Sequence, residues 1–244
     1  MQQPSGQISP DGFWMWNGSQ WVPNPYRAPM PAPSAPPYES ARFRAGVVTI
    51  LLAATIPGSL LLTAASLMTD LVPNPNDQQS LLIGLLALLA GLLWFGALIS
   101  ATVFFCMWLH RVIRNMPALG SPDPHWSATR SVVYCFIPIV SWFHPMRSVL
   151  DAWRGSDSSQ RWLTQGSRRA IPPPVLIVVW WMSWLIGIYA GNLGSRLTGL
   201  GAAVLDVVGG IGLVAAAVFC LMVVRELTAR QDRKHASIAI GQLV

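Results

Sequence analysis

From Leu81 to Leu109 the chain runs for 29 residues without a formal charge. At about 1.5 Å per residue a helix of that length outreaches the ~30 Å hydrocarbon core of a bilayer, and it has no polar face to turn toward water. The run continues without a breaker through His110, Arg111, Arg114 and Asn115 until Pro117. One helix over 81–115, about 52 Å long, is therefore expected, with its last turns outside the core and Trp108 near the interface.

Three further apolar runs are long enough to span. Residues 45–68 follow Arg42 and Arg44 and carry Pro57-Gly58 at their centre, which predicts a kink. Residues 175–193 start behind Pro172-Pro173-Pro174, and residues 202–224 lead into a basic tail. With 52% hydrophobic and 11% charged residues in 244, the fold class is an all-α membrane protein with four transmembrane helices. The net charge of +6 comes from residues scattered at the ends of apolar runs, so it does not point to nucleic acid. Cys106, Cys135 and Cys220 lie inside apolar segments without metal-site or redox spacing, and no cofactor is implied.

The stretch from Ser131 to Met146 is uncharged but interrupted by Pro138 and Pro145. As a helix it reaches only about 24 Å. If it spanned, the Lys and Arg side chains would divide seven against nine across the membrane; if not, they divide fifteen against one, with Arg196 alone outside. Membranes favour the asymmetric arrangement. Residues 131–150 are thus expected to be a broken re-entrant or interfacial element on the cytosolic side, with both termini cytosolic in the plasma membrane.

Ahead of the bundle, SPDGFWMWNGSQWVP alternates aromatic and polar residues around Asn17-Gly18, which predicts a small β-hairpin over 1–23 that displays Trp14, Trp16 and Trp21. Residues 24–40 are Pro-rich and read as a semi-rigid linker. The membrane domain then covers 41–230 and a basic cytosolic tail 231–244. The hairpin resembles the short W-x-W-x-G-x-x-W modules that precede membrane domains in actinobacterial proteins. It suits docking to a cytosolic protein or a headgroup layer, and equally a tail with no partner.

Trp108-x-x-Arg111-x-x-x-Asn115 with Leu119-Gly120, then Phe136-Ile137-Pro138, Pro145 and Asp151 near Trp153, resemble the family of domain of unknown function 4328, multi-pass proteins mostly from actinobacteria. The resemblance covers about 41–230. It departs at Ser141, where asparagine is more usual, and at Asp151, often a glutamate. It implies an architecture and a location but no reaction.

Trp108, Arg111 and Asn115 are spaced by three and four and so share one helix stripe. Together with Pro138, Pro145 and Asp151 they form the candidate polar site at the cytosolic face. Asp151 is the expected carboxylate partner of Arg111 or Arg147, as a clamp or as part of a site for an anionic lipid headgroup. His110 and His144 read as interface residues rather than metal or haem ligands. Asp206 is expected to pair with Arg196 or to snorkel, and Gly187 and Gly191 to admit a close helix. No Ser or Cys with a base, zinc motif or phosphate loop appears, so a non-enzymatic role is expected. Membrane assembly, anchoring or sensing through the N-terminal arm is the first reading. The alternative is a small transporter or lipid-handling protein gated by the broken segment.

Overall fold

A computed structural model describes residues 7–9, 14–23, 36–71, 76–121, 124–157 and 165–240. Of the linker expected over 24–40, residues 24–35 lie outside them. The chain divides into two units, residues 1–35 and 36–244.

In the first unit, β1 (Trp14–Trp16) pairs antiparallel with β2 (Trp21–Pro23), with Trp16 opposite Trp21. The tight turn is centred one residue later than Asn17-Gly18. The Asn17 N–H donates to the Gln20 carbonyl (3.1 Å), leaving Gly18-Ser19 at the corner with Gly18 at φ 100°. Asn17 instead serves as the brace, its Oδ1 accepting the backbone N–H groups of Ser19 (2.9 Å) and Gln20 (2.8 Å). Trp16 and Trp21 meet edge to face at 5.6 Å, while Trp14 and Trp21 remain over 40% exposed. Residues 7–9 add a third edge, through Trp16 N to the Gln7 carbonyl and Ser9 N to the Trp14 carbonyl.

The second unit is built on α1 (Arg42–Leu71), α2 (Asp77–Arg114), α6 (Val175–Gly194) and α7 (Leu200–Ile240), each long and apolar enough to cross a membrane. α2 starts on a capping box, Asn76 with Gln79. Its most apolar window is only 6% buried inside the protein, with Leu85, Leu89, Leu92 and Phe95 facing outward. A face that apolar and that exposed belongs against lipid. Pro57 sits within α1, where Thr55 and Ser59 hydroxyls donate to the Leu52 and Ile56 carbonyls. The fourth long helix does not stop at Val224. Arg225 to Ile240 continue it, since RELTARQDRKH contains no Gly or Pro, and α7 reaches about 60 Å.

α2 packs on α1, α1 on α7 and α7 on α6. α6 and α7 approach closely, and the glycines responsible are not the expected pair alone. A Cβ on Gly212 would lie 2.7 Å from the Gly187 nitrogen, and one on Gly209 2.9 Å from the Gly191 nitrogen, whereas a Cβ on Gly191 itself meets nothing within 4 Å. Nearer the α6–α7 turn along this seam Asp206 accepts a hydrogen bond from Ser66 of α1, so the expected Arg196 pair is replaced by a partner inside the bundle.

The stretch between α2 and α6 leaves and re-enters the bundle at one end, as α2's last turn and α6's first share a core with α4 (His144–Gly155). It therefore does not span. It comprises a turn at Pro117–Leu119, α3 (Ala128–Val133), single 3₁₀ turns at Tyr134–Phe136 and Val140–Trp142, then α4 and the short α5 (Gln165–Ala170). Pro138 and Ile139 form the break. The Val140 N–H bonds to the Pro138 carbonyl (2.8 Å), and Ile139 is held at φ 68°, ψ −50°. That is a γ-turn at a β-branched residue, a backbone state costing about 1–3 kcal/mol.

Candidate functional site

The end of the bundle where α1 begins and α2 ends carries most of the protein's buried polarity. Trp108 is fully buried, and its indole Nε1–H donates to Thr228 Oγ1 on α7 (2.9 Å). One turn on, Arg111 forms an ion pair with Glu39. Another turn on, Asn115 holds both backbone polar groups of Glu39: its Nδ2 donates to the Glu39 carbonyl (2.8 Å) and its Oδ1 accepts the Glu39 N–H (3.3 Å). Gln231, buried opposite, accepts from Asn115 Nδ2 (3.3 Å) and donates to the Val112 carbonyl (2.9 Å). A buried amide pair with its polar atoms matched in this way specifies a register, because sliding either helix leaves donors unpaired.

The stripe on α2 therefore faces α7 and the chain just before α1, and the expected pairing with Asp151 is not formed. α4 turns Val149, Ala152 and Trp153 into the core, which leaves Asp151 toward the preceding loop, where it accepts the His125 backbone N–H (2.8 Å). Arg147 is exposed. Pro138 is exposed at the γ-turn, and Pro145 opens α4 and lines a cavity deeper in the bundle. The six candidates thus divide: Trp108, Arg111 and Asn115 act together, while Pro138, Pro145 and Asp151 belong to the broken segment.

Several functional contacts come from residues that sequence reasoning passed over. Tyr38 donates to Asp232 Oδ1 (2.6 Å) and stacks on His235 (ring centroids 4.2 Å), while Arg42 Nε donates to Asp232 Oδ2 (2.6 Å). Burial, with the Asp232 carboxylate beside it, holds the Tyr38 phenol protonated well above its usual range. Lys234, the single lysine of the chain, is buried and donates to the Gly155 carbonyl at the end of α4 (3.0 Å), which also accepts from Ser121 Oγ (3.0 Å). Arg230 lies over the Trp153 ring at 4.6 Å. The signal was present in the spacing: Thr228, Gln231 and Lys234 recur every three residues, which becomes a stripe once α7 is known to continue past Val224.

His144 of α4 is buried among Trp126 and Tyr134 (5.4 and 5.0 Å) with its Nε2 at 3.0 Å from Ser148 Oγ. Burial depresses its pKa, against a backbone contact from Ser131 and with Arg147 and His125 adding to the depression. The folded state thus disfavours the protonated ring. Stability contributed this way is complete above the unfolded pKa of about 6.5 and is lost as pH falls below it, at up to about 1.4 kcal/mol per pH unit. The thermal midpoint of the detergent-solubilised protein is expected to fall between about pH 7 and 5. His144→Gln should flatten that slope; an unchanged slope would refute the assignment.

Chemically this end binds and braces: the Trp108 indole is committed to a hydroxyl, and the amide, ammonium and phenol groups to carbonyls and carboxylates. Among the described residues no three metal-ligating side chains cluster. The fold and the site define a multi-pass integral membrane protein whose two longest helices are cross-bonded at the charged end of the bundle.

The chain belongs to the family Domain of unknown function (DUF4328), whose model matches residues 83–229. The match includes the Trp108 to Asn115 stripe and the whole broken segment, and it ends beside Thr228, before Gln231 and Lys234; residues 36–42 also lie outside it. No curated protein and no solved structure matches.

Proposed function

We propose that the protein is a non-enzymatic assembly, anchoring or sensing component of the plasma membrane, with the charged end cytosolic and the N-terminal hairpin as its docking arm. The orientation rests on the fifteen-to-one division of basic residues between the two ends. The observation that carries the role is the grip on residues 38–42. Tyr38, Glu39 and Arg42 are bonded to α2 and α7 through the network that also holds α4, so the chain just before α1 is fixed to the bundle by hydrogen bonds. Exposed Arg114, Arg147 and Arg225 at this end suit an anionic headgroup layer.

A photo-crosslinking residue at position 14, in the full-length protein in intact cells, tests the arm. A single cytosolic protein adduct is expected, abolished by Trp21→Ala. Adducts to lipid alone, or a mixture insensitive to Trp21→Ala, would overturn the docking role. A second reading, lipid handling with the broken segment as gate, is favoured by the γ-turn at Ile139 and by the cavity beneath it.

A further inference from the structure

The four long helices run in the order α2, α1, α7, α6, and the space between α2 and α6 is taken by the broken segment and a cavity of about 330 Å³. At the charged end α2 and α6 touch through the rings of Phe105 and Trp180 (6.0 Å). The cavity walls include Trp94 of α2 and Trp180, Trp181 and Trp184 of α6, with Ser141 and Pro145 of the broken segment also lining it. Its volume falls in the ordinary range of small-molecule sites, about 300–1,000 Å³.

The chemistry of the lining selects the occupant. The Thr55 hydroxyl donates to the Leu52 carbonyl (2.7 Å), Thr102 to Leu98 (2.8 Å), and the Cys135 thiol to Ser131 (3.1 Å). Those donors are turned back onto their own helices, and aliphatic and aromatic carbon makes up most of the remaining lining, which suits an apolar chain. Trp184 and Ile188 also line a groove along α6 that passes Trp142 and Tyr189, whose rings meet at 5.8 Å, and reaches Asn192 and Arg196. Arg196 is exposed and is the one basic residue of the turn between α6 and α7.

We propose that this cavity is an acyl-chain site: one chain of a membrane phospholipid enters between α2 and α6 beneath Ser141 and Pro145, with its phosphate toward Arg196. The proposal deepens the lipid-handling reading and rests on it for its purpose, though not for its geometry. Ser141 and Pro145 then contact the chain directly, which gives the proline-broken segment a ligand as well as a fold.

The test uses the full-length protein in nanodiscs of phosphatidylglycerol carrying a mid-chain diazirine, with adducts mapped by peptide mass spectrometry. Adducts on Trp181, Trp184 and Cys135 are expected alongside those on the lipid-facing Leu92 and Phe95. Ala217→Phe, which fills the cavity from α7, should lower the first set about tenfold, equivalent to about 1.4 kcal/mol, and leave the second unchanged. Arg196→Gln should lower the first set without perturbing the cavity. Adducts confined to Leu92 and Phe95 in the wild-type protein would overturn the site whether or not Ala217→Phe folds, and cavity adducts unaffected by either substitution would overturn it as well. Transfer of a chain-labelled lipid between leaflets reads the gate separately: adducts without transfer keep the site and remove the lipid-handling role.

Discussion

Trp108→Ala is expected to destabilise the protein by about 3–5 kcal/mol, the cost of emptying a large buried aromatic site. Trp108 is fully buried where α2, α4, α6 and α7 meet, among Val149, Ile177 and Leu227, and no opening to lipid would let the cavity refill. For a chain of this size each kcal/mol lowers the thermal midpoint by about 2–4 °C, so a fall of roughly 6–20 °C is expected in detergent. Trp108→Phe separates the two contributions: it keeps most of the volume but removes the bond to Thr228, and should cost only about 0.5–1.5 kcal/mol. If Trp108→Ala moved the midpoint by no more than Trp108→Phe, packing at this end would not be holding the bundle.

The second large effect lies at the α6–α7 seam. Gly212→Val should force the helices apart, because even the first added carbon falls 2.7 Å from the Gly187 nitrogen and 3.0 Å from the Ser183 carbonyl oxygen. These are backbone atoms, so no side chain can rotate away. In a bilayer, helices associate through such close packing rather than through exclusion of water, and its loss is felt along the whole interface. Overpacking of this kind costs about 1–3 kcal/mol or more, and the variant is expected to unfold or to yield little extractable protein. Gly191→Ala is the internal control. Its Cβ has open space, so it should behave as wild type, and equal damage from both substitutions would refute the register described.

The contrast between these glycines shows what the sequence made legible. Gly187-x-x-x-Gly191 correctly marks a tight helix contact, but the motif treats its two glycines alike. Both lie against glycines of α7, but only Gly187 lacks room for a Cβ, which would meet the Leu213 nitrogen at 2.8 Å; how α6 is rotated against α7 decides that. Arg111 repeats the lesson. Its place on a stripe with Trp108 and Asn115 follows from helical spacing, yet its partner is Glu39, in a stretch the sequence presents as the end of a linker. Asp151 was the nearer carboxylate in the chain. The rotation of α4, set by which of its residues enter the core, turned it toward His125.

Residues 225–240 were harder to read for a related reason. Charge marks where a helix leaves the apolar core, not where it ends, and the absence of a breaker after Val224 was the better guide to α7. Only with that extension do Thr228, Gln231 and Lys234 come to face Trp108, Asn115 and Gly155.

By itself the sequence determined four membrane-crossing helices, a non-spanning segment broken at Pro138 and Pro145, and a tryptophan hairpin, because run length, charge and turn chemistry are properties of neighbouring residues. Tertiary structure alone decided the partner of Arg111, the grip on Glu39, the glycines of the α6–α7 seam and the cavity under Ser141. Each of these depends on the rotation and depth of one helix against another, which side chains far apart in the chain settle only when they pack.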